Sequence, residues 1–569
     1  MTDADAVIVG TGPAGATAAE VLTEAGWSVI MLEKGRNHLL SLDAPYAPLG
    51  HVSNDEIKFL RRHFLGPDPF LEPRTYRHRE DEGDRIFTGD VNNLPSTVGG
   101  GGFHADGKVP RFREVDFVAR SELGPIAGAD IVDWPLGYDE LEAYYTAAER
   151  AVGVAGDHTA NPFASWRSTP YPMPPGADMF CAVVTSEAAT RLGFHPYQAP
   201  TGVNSVEYDG RPACNNCGFC AYFGCPIEAK GDPVAMLRHA LATGRCEIRP
   251  ESNVTEILLD GTGRRARGVR YRDADGIERE VSASAVILGA GAFETPRLLL
   301  RSGLGNPDVV GRYLMYHFQT YALGIFPFGL HAHRGRSVTH LMDDPIVPDA
   351  SANDAARDAD LPYFRGGIVE HGGAGHVVME AIYLPPGEAH SRSMLESMMR
   401  ERLAAFTMQG EDLPQATNRV DLDPSVRDVW GLPAGRVTYA PHRHEAACAA
   451  HWGPRLEAVL RDAGAERTFS VTSPPLEHAV GRRQPDPTPT SRHVMGTARM
   501  GTDPRTSVCD PWQRLHDVEN VVITDASVFP TSTGYGPTLT LVALAIRASR
   551  ALAGLEPLRS TRPADAHRS

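Results

Sequence analysis

The sequence lacks several features that would assign it to a particular class of protein. No apolar run among its 569 residues is long enough to span a bilayer, so no membrane segment is expected. The first predicted strand begins within a few residues of Met1, which leaves no room for a signal peptide. Eight cysteines in a chain of this length do not indicate a disulfide scaffold. Together these absences predict a cytoplasmic protein without membrane contact.

Positive charge is also scarce. The chain has 55 Lys and Arg residues against 71 Asp and Glu residues, which gives a formal net charge of −16. A nucleic-acid partner is not expected, because neutralising phosphates requires a surplus of Lys and Arg. An acidic surface is compatible with a cationic small substrate. It also keeps proteins soluble, so the charge alone does not decide between these two interpretations.

The N-terminal segment has the pattern of a dinucleotide-binding βαβ unit. A buried strand over 6–9 precedes the loop Gly10-Thr-Gly12-Pro13-Ala14-Gly15, a helix over 14–25 follows, and a second strand ends on Glu33. Such a loop turns tightly and brings backbone N–H groups at a helix N-terminus to a pyrophosphate, while the acidic residue accepts from ribose hydroxyls. The loop by itself does not distinguish FAD from NAD.

Two C-terminal stretches complete the pattern. They read His493-Val-Met-Gly-Thr-Ala-Arg-Met-Gly501 and Gly534-Tyr-Gly-Pro-Thr538. A nucleotide loop at one end and a histidine-led block at the other resemble the glucose–methanol–choline (GMC) flavoprotein oxidoreductases from end to end. The resemblance implies an α/β fold with a discontinuous Rossmann-type FAD-binding domain. It also implies a substrate domain with an antiparallel sheet flanked by helices.

Further segments favour FAD by the same resemblance. Val98-Gly-Gly-Gly-Gly-Phe-His104 matches the glycine-rich segment under the flavin ring, and the stretch from Val286 to Gly303 matches a second signature of the family. The cofactor-binding residues that the resemblance implies are Gly10, Gly12, Pro13, Ala14, Gly15, Glu33, Lys34, Gly99, Gly100, His104, Val254, Ala290, Asp525, Thr538 and Leu539. In the pyranose-oxidase branch a histidine at the place of His104 carries the flavin covalently. Here His104 either does the same or packs beside the ring.

His493 occupies the position of the family's catalytic histidine. A histidine with an unperturbed pKa of about 6.5 can take the proton of an alcohol near pH 7. The sequence departs from the family at Gly536, where Asn or His usually holds the substrate oxygen. Tyr535, His442 and His444 are candidates for the missing partner, and the glycine also opens space for a bulky substrate.

Four of the cysteines, Cys214, Cys217, Cys220 and Cys225, are grouped in the spacing C-x2-C-x2-C-x4-C-P. This spacing is one residue longer than a ferredoxin run, so an iron–sulfur cluster is one interpretation. A tetrahedral zinc site is a second, and cysteines that pack a tight turn are a third.

The length predicts at least two lobes. We expect the FAD-binding domain to comprise 1–140, 230–316 and 482–555, and the substrate domain to comprise 141–229 and 317–481. Two shorter stretches are also assigned. Residues 343–360 carry six aspartates and are expected to form a solvated loop or an acidic lid, and 556–569 are expected to be a disordered tail.

The expected function is FAD-dependent oxidation of an alcohol group on a sugar-like molecule, with oxygen, a quinone or a redox protein as electron acceptor. The sequence most resembles the pyranose-oxidase and sugar-dehydrogenase branches of the family. A cationic, aminoglycoside-type substrate is a sharper hypothesis. The alternatives are a non-redox lyase on the same fold and an iron–sulfur dehydrogenase subunit that passes electrons to a partner.

Overall fold

The computed structural model describes residues 2–37, 71–83, 87–89, 94–218, 220–347, 349–372, 387–396, 401–473, 489, 491–560 and 562. Within these residues the strands are β1 (Ala4–Val9), β2 (Val29–Leu32), β3 (Arg74–Arg77), β4 (Phe87–Gly89), β5 (Pro196–Gln198), β6 (Cys246–Arg249), β7 (Asn253–Leu259), β8 (Ala266–Arg272), β9 (Glu278–Leu288), β10 (Phe318–Ile325), β11 (Val338–Met342), β12 (Gly367–Gly372), β13 (Leu403–Gly410), β14 (Arg419–Arg427), β15 (Pro433–Thr438), β16 (Arg467–Ser473) and β17 (Val521–Ile523).

The helices of the described residues are α1 (Pro13–Glu24), α2 (Glu114–Phe117), α3 (Ala119–Leu123), α4 (Tyr138–Val152), α5 (Phe180–Arg191), α6 (Cys220–Phe223), α7 (Pro233–Ala242), α8 (Gly291–Ser302), α9 (Ala350–Asp358), α10 (Glu388–Glu396), α11 (Arg443–Asp462) and α12 (Thr538–Leu552). Short 3₁₀ turns cover Glu80–Glu82, Gly100–His104, Asp344–Ile346 and Ala526–Val528. No helix of this part of the chain is long and apolar enough to cross a membrane.

The first sheet has seven strands and carries the predicted nucleotide loop. Strands β6, β2, β1, β9 and β17 lie side by side and are parallel, and β8 and β7 extend the sheet in antiparallel fashion. Strand β1 is almost entirely apolar because helices cover the parallel part of the sheet, which buries its strands on both faces. The α/β Rossmann-type fold that the sequence predicts is confirmed.

The second sheet has six antiparallel strands in the order β16, β10, β13, β12, β11, β5. One face packs against α5 and α11 through apolar residues such as Ala322, Phe406 and Trp452. Alternate residues point to the other face, which carries polar side chains that include Gln319 and Gln409. The predicted antiparallel sheet with helices on its outer face is confirmed.

Two features cross the predicted domain boundaries. The third sheet joins β14 and β15 to β3 and β4, so strands before residue 140 pair with strands after residue 418. Helix α4, most of which the sequence assigns to the substrate domain, packs instead on α12, where the Tyr145 hydroxyl lies 2.7 Å from Oγ1 of Thr540.

The acidic stretch 343–360 is largely ordered rather than a solvated loop. Its first residue, Asp343, is buried, and α9 forms within it because the side chain of Asp349 caps the helix by accepting from the N–H of Ala352. The start of the expected tail is also bound: Leu558 N–H donates to the hydroxyl of Tyr144 at 3.2 Å. Residues 563–569 lie outside the described residues.

Candidate active site

The nucleotide loop is held tightly against its own sheet. Gly10 has a positive φ of +94°, and a Cβ on Gly15 would lie 2.0 Å from the carbonyl oxygen of Gly10. Helix α1 begins directly after Gly12, so its unpaired first-turn N–H groups face the end of the strands. These contacts require glycine at 10 and 15, as the sequence predicts.

Glu33 directly follows β2 in a buried position beside this loop. Its carboxylate accepts from Thr11 Oγ1 at 2.7 Å and from the N–H of Gly35 at 2.8 Å, and burial raises its pKa. The carbonyl of Glu33 accepts from the N–H of Ser252 at 2.7 Å. The backbone therefore brings residue 252, two positions before Val254, next to Glu33 at the carboxyl end of β2.

The glycine-rich segment lies across the same loop. Gly99 N–H donates to Thr11 Oγ1 at 3.1 Å, and a Cβ on Gly100 would lie 2.9 Å from the Cα of Gly12. His104 ends the 3₁₀ turn in a buried position. Lys230 Nζ fixes the backbone on both sides of His104 by donating to the carbonyls of residues 103 and 105, at 2.7 and 2.8 Å.

Asp525 joins a third segment to the sheet. Its carboxylate accepts from the N–H of Gly291 at 2.9 Å and from Thr295 Oγ1 at 2.5 Å, at the N-terminus of α8 that Ala290 caps. Among the described residues beyond its chain neighbours and its own helix, none lies within 4 Å of a Cβ added to Gly291, so this helix N-terminus has open space beside it in the described part of the chain. Glycine turns, helix N-termini and open space at the ends of parallel strands fit an extended dinucleotide.

Three remaining predicted cofactor contacts differ in their surroundings. Thr538 begins α12 and Leu539 is fully buried within it. Lys34, in contrast, is engaged by protein carboxylates: its Nζ lies 2.5 Å from Glu72 and 3.3 Å from Glu294. The Lys34 ammonium is therefore part of an ion-pair network within the protein.

His493 meets a second histidine that the sequence analysis did not identify. The Nδ1 atoms of His493 and His317 lie 3.0 Å apart, and the two rings are nearly perpendicular at 83°. Met315 and Met495 pair as an antiparallel bridge, and Ser491 Oγ accepts from the N–H groups of both histidines. The backbone pairing thus places residues 317 and 493 opposite each other.

Both imidazoles are held neutral. Burial lowers the pKa of His493 to about 3, and the Lys108 ammonium contributes in the same direction. Burial also lowers the pKa of His317 well below its usual range. A neutral imidazole that donates from one nitrogen to a partner has its other nitrogen available to accept a proton.

Gly536 lies directly beside His493. A Cβ at this position would lie 3.7 Å from Cε1 of His493, which is ordinary van der Waals contact. The three residues predicted to replace its missing side chain are hydrogen-bonded to other groups. The Tyr535 hydroxyl donates to buried Asp343 at 2.7 Å, His442 caps α11, and His444 accepts from the N–H of Arg365. The side chain that lies within hydrogen-bonding distance of His493 is His317.

Lys108 is the second functional residue that sequence reasoning missed. Its side chain is 7% exposed, and its Nζ lies 2.6 Å from Asp106 and 2.9 Å from Glu370. The available signals were weak: Lys108 is one of four lysines in the chain, and His317 opens an apolar strand.

The cysteine cluster gains no support as a metal site. Cys220 is buried at the start of α6, where burial raises the pKa of its thiol to about 12, and Cys214, Cys217 and Cys225 are half-buried. Among the described residues, no group of three or more His, Cys, Asp or Glu side chains is arranged to hold a metal ion.

Family models match most of the segments described above. The model of an FAD binding domain matches residues 3–41, and models of GMC oxidoreductase match 178–319 and 414–545. Paromamine 6'-oxidase from Streptomyces fradiae is 30% identical over 97% of this chain and 91% of its own length. The chain belongs to the GMC oxidoreductase family. It is thus an FAD-binding oxidoreductase.

Other GMC proteins align over the same length. The gluconate 2-dehydrogenase flavoprotein of Pantoea cypripedii is 27% identical and covers 96% of this chain and 93% of its own. Among solved structures, formate oxidase from Aspergillus oryzae aligns over 97% of this chain and 99% of its own, with a TM-score of 0.65 and 16% identity. The structural likeness supports the GMC fold.

Proposed function

We propose that this GMC oxidoreductase oxidises an alcohol carbon of a sugar-like molecule, with His493 as the base that takes the hydroxyl proton. The observation that carries this proposal is the pair of neutral histidines with facing Nδ1 atoms 3.0 Å apart. The segments around Gly12, Gly100 and Asp525 would hold FAD, which would accept the hydride when bound.

The chain's own residues account for the proton. In the proposed tautomer Nδ1–H of His493 donates to Nδ1 of His317, which lies 3.0 Å away, and Nε2 of His493 accepts the proton of the substrate hydroxyl. Because burial and Lys108 hold His493 neutral, the base needs no deprotonation before it accepts the proton. His493 therefore does not have to change its charge before the substrate binds.

The space beside Gly536 supports a substrate larger than a simple alcohol. Only a hydrogen atom stands where the family usually places a side chain, so a ring substituent can approach His493 there. A cationic sugar of the aminoglycoside type is the finer proposal. It is supported by the net charge of −16 and by the similarity to a paromamine 6'-oxidase.

The substrate class is tested by anaerobic flavin bleaching with paromamine, D-gluconate and D-glucose. We expect paromamine to bleach the flavin fastest. Equal rates with the neutral sugar would reject the cationic preference and keep the sugar class. No bleaching by any polyol would contradict alcohol oxidation and favour a lyase.

Oxygen consumption with and without an added quinone then identifies the electron acceptor.

We also propose that FAD is bonded to His104. The buried position of this histidine on the glycine-rich turn, with Lys230 clamping the adjacent carbonyls, supports a fixed attachment point. Acid precipitation should leave the flavin with the protein, and His104→Ala should release it to the supernatant. Free flavin from the wild-type protein would reject the bond.

A further inference from the structure

The loop of residues 534–536, which borders His493, is attached to the six-stranded sheet through its backbone. The N–H of Ile368 in β12 donates to the carbonyl oxygen of Gly534 at 3.0 Å. A Cβ on Gly534 would lie 2.4 Å from the Cα of Gly367, so only glycine permits this approach. Helix α12 begins two residues after the loop. The loop therefore connects the sheet to α12 directly beside the proposed base.

A buried carboxylate provides a second attachment for the same loop. The Tyr535 hydroxyl donates to Oδ2 of Asp343 at 2.7 Å, and the side-chain amide of Asn161 donates to the same oxygen at 2.8 Å. The Tyr197 hydroxyl in β5 donates to Oδ1 at 2.7 Å. Asp343 and both tyrosines are buried. The carboxylate thus accepts from three side chains, and one of them belongs to the active-site loop.

The position of Asp343 is fixed by the turn that follows it. The N–H of Ile346 donates to the carbonyl oxygen of Asp343 at 2.9 Å. The N–H of Gly366, just before β12, donates to the carbonyl oxygen of Pro345 at 2.9 Å. The side chain of Ile346 also packs against the loop, because its Cδ1 would lie 3.3 Å from a Cβ on Gly534. The turn, β12 and the loop therefore form one connected unit in which Asp343 has a fixed place.

The backbone just before Tyr535 is strained. Thr533 has a φ of +97°, a conformation that a β-branched residue rarely adopts. Such a conformation persists only where the surrounding contacts hold it. The Tyr535 N–H donates to Oγ1 of Thr533 at 3.1 Å, and the Tyr535 hydroxyl anchors the far end of the same residue. Loss of the hydroxyl would let this backbone relax and would move Gly536 from its place beside Cε1 of His493.

We propose that Asp343 and Tyr535 are positioning residues for substrate specificity: their hydrogen bond holds the backbone of Gly536 in place and so keeps the space beside His493 open to a bulky sugar. The inference rests on the proposed role of that space. Neither side chain has to touch the reacting atoms, because both act through the position of the loop. Their loss should therefore weaken the binding of a bulky alcohol more than it slows hydride transfer.

The two tyrosines provide a matched control. Tyr197→Phe and Tyr535→Phe each remove one hydroxyl that donates to Asp343 at 2.7 Å from a buried ring, so their Tm should fall by similar amounts. Tyr197 lies on β5, whereas Tyr535 lies in the loop beside His493. The two variants thus lose equivalent hydrogen bonds and differ in the predicted effect on the loop.

Variants of Asp343 provide loss and rescue of the same bond. Asp343→Leu has no acceptor and should behave as Tyr535→Phe does. In Asp343→Asn the amide oxygen must face Tyr535 and Asn161, because its NH₂ group would otherwise meet the NH₂ group of Asn161. The asparagine therefore restores the acceptor for Tyr535.

The attachment of the loop is measured by hydrogen–deuterium exchange of a peptide that covers 532–538, in protein that retains its flavin. We expect exchange about tenfold faster in Tyr535→Phe than in wild type, because the loop has lost one of its two attachments. Tyr197→Phe should exchange at nearly the wild-type rate, and Asp343→Asn should exchange more slowly than Asp343→Leu. Equal exchange in the two phenylalanine variants would overturn the proposal.

Kinetics test the consequence for specificity. With paromamine, Tyr535→Phe should raise KM at least about tenfold with little change in the limiting rate of flavin reduction. The KM for n-propanol, which does not need the space beside Gly536, should change by less than about threefold. An unchanged ratio of the two KM values in Tyr535→Phe would reject the specificity role. If His493→Ala kept its rate, the proposed function would fail instead, and the exchange result, which needs no substrate, would still decide whether Asp343 holds the loop.

Discussion

At the scale of single residues, Gly536 is a glycine that the backbone does not require. Its φ is not in the left-handed region, and the nearest atom to an added Cβ among the described residues is Cε1 of His493 at 3.7 Å. Glycines such as Gly10 and Gly15, in contrast, are enforced by contacts of 2.6 and 2.0 Å with carbonyl oxygens. The effect of glycine at 536 is therefore the open volume beside the base.

Substitution at this residue should change selectivity and leave stability intact. Gly536→Ala adds one methyl in ordinary contact with His493, so we expect a Tm within about 2 °C of wild type. We expect kcat/KM for a bulky sugar to fall at least tenfold while that for a small primary alcohol changes little. Steady-state kinetics with paromamine and n-propanol measure this. An equal loss of kcat/KM for both alcohols would contradict the role of Gly536 in admitting a bulky substrate.

Residues with a local motif could be predicted from sequence, and residues set by long-range pairing could not. Glu33 and Gly15 follow from the spacing of one βαβ unit, and His493 from its neighbours in the chain. His317 becomes a partner of His493 only because residues 315 and 495 pair across 180 positions of sequence. Tyr535 is adjacent to Gly536, yet its hydroxyl is bound to Asp343 through a contact that no sequence pattern encodes.

At the scale of elements, α1 begins in very close contact with the turn before it. Alanine normally stabilises a helix relative to glycine by about 1 kcal/mol. At Gly15 the same Cβ would lie 2.0 Å from the carbonyl oxygen of Gly10, and it would force the helix away from β1. The N-terminus of α1 would then move from its place at the ends of the strands.

We expect Gly15→Ala to lose FAD while the matched change Gly261→Ala keeps it. Gly261 lies in the turn between β7 and β8, where an added Cβ meets nothing within 4 Å. The flavin-to-protein absorbance ratio of the two purified variants, with circular dichroism to confirm folding, measures the effect. Full flavin content in Gly15→Ala would show that the helix start does not position the cofactor.

The elements themselves were predictable to different degrees. Apolar runs suffice for β1 and β2, because these parallel strands are buried, whereas the antiparallel sheet was expected from the family resemblance. Helix α9 was missed because its composition is acidic, whereas its Asp349 cap and two buried alanines stabilise it in place. The pairing of β3 with β15 was missed because it joins segments far apart in the chain.

At the scale of the whole molecule, buried ionisable groups set the pH range of stability. Burial raises the pKa of Asp412 to about 8 and that of Glu411 to about 7. Between about pH 4 and its folded-state pKa, each carboxyl is protonated in the folded protein and ionised in the unfolded chain. Its contribution to the free energy of unfolding is therefore lost as the pH rises through the folded-state pKa. Burial lowers the pKa of His371 and His444 to about 3, so their contribution is lost as pH falls below about 6.5.

We therefore expect the protein to be most stable between about pH 6 and 7. Tm should fall by about 3 °C or more between pH 6.5 and 8.5. Asp412→Asn should weaken this fall, because the amide mimics the protonated carboxyl and can still accept from the N–H of Tyr316. Differential scanning calorimetry of this variant and of exposed Asp308→Asn provides the comparison. The same dependence of Tm on pH in wild type, Asp412→Asn and Asp308→Asn would contradict the role assigned to Asp412.

The central claim is that neutral His493, paired with His317, is the base for alcohol oxidation in a flavoprotein. The most direct measurement is anaerobic stopped-flow reduction of the flavin by paromamine in wild type, His493→Ala and the exposed control His195→Ala. We predict that His493→Ala keeps its flavin spectrum and loses at least a thousandfold in the limiting reduction rate, while the control is unchanged. A His493→Ala protein that is reduced near the wild-type rate would contradict the account.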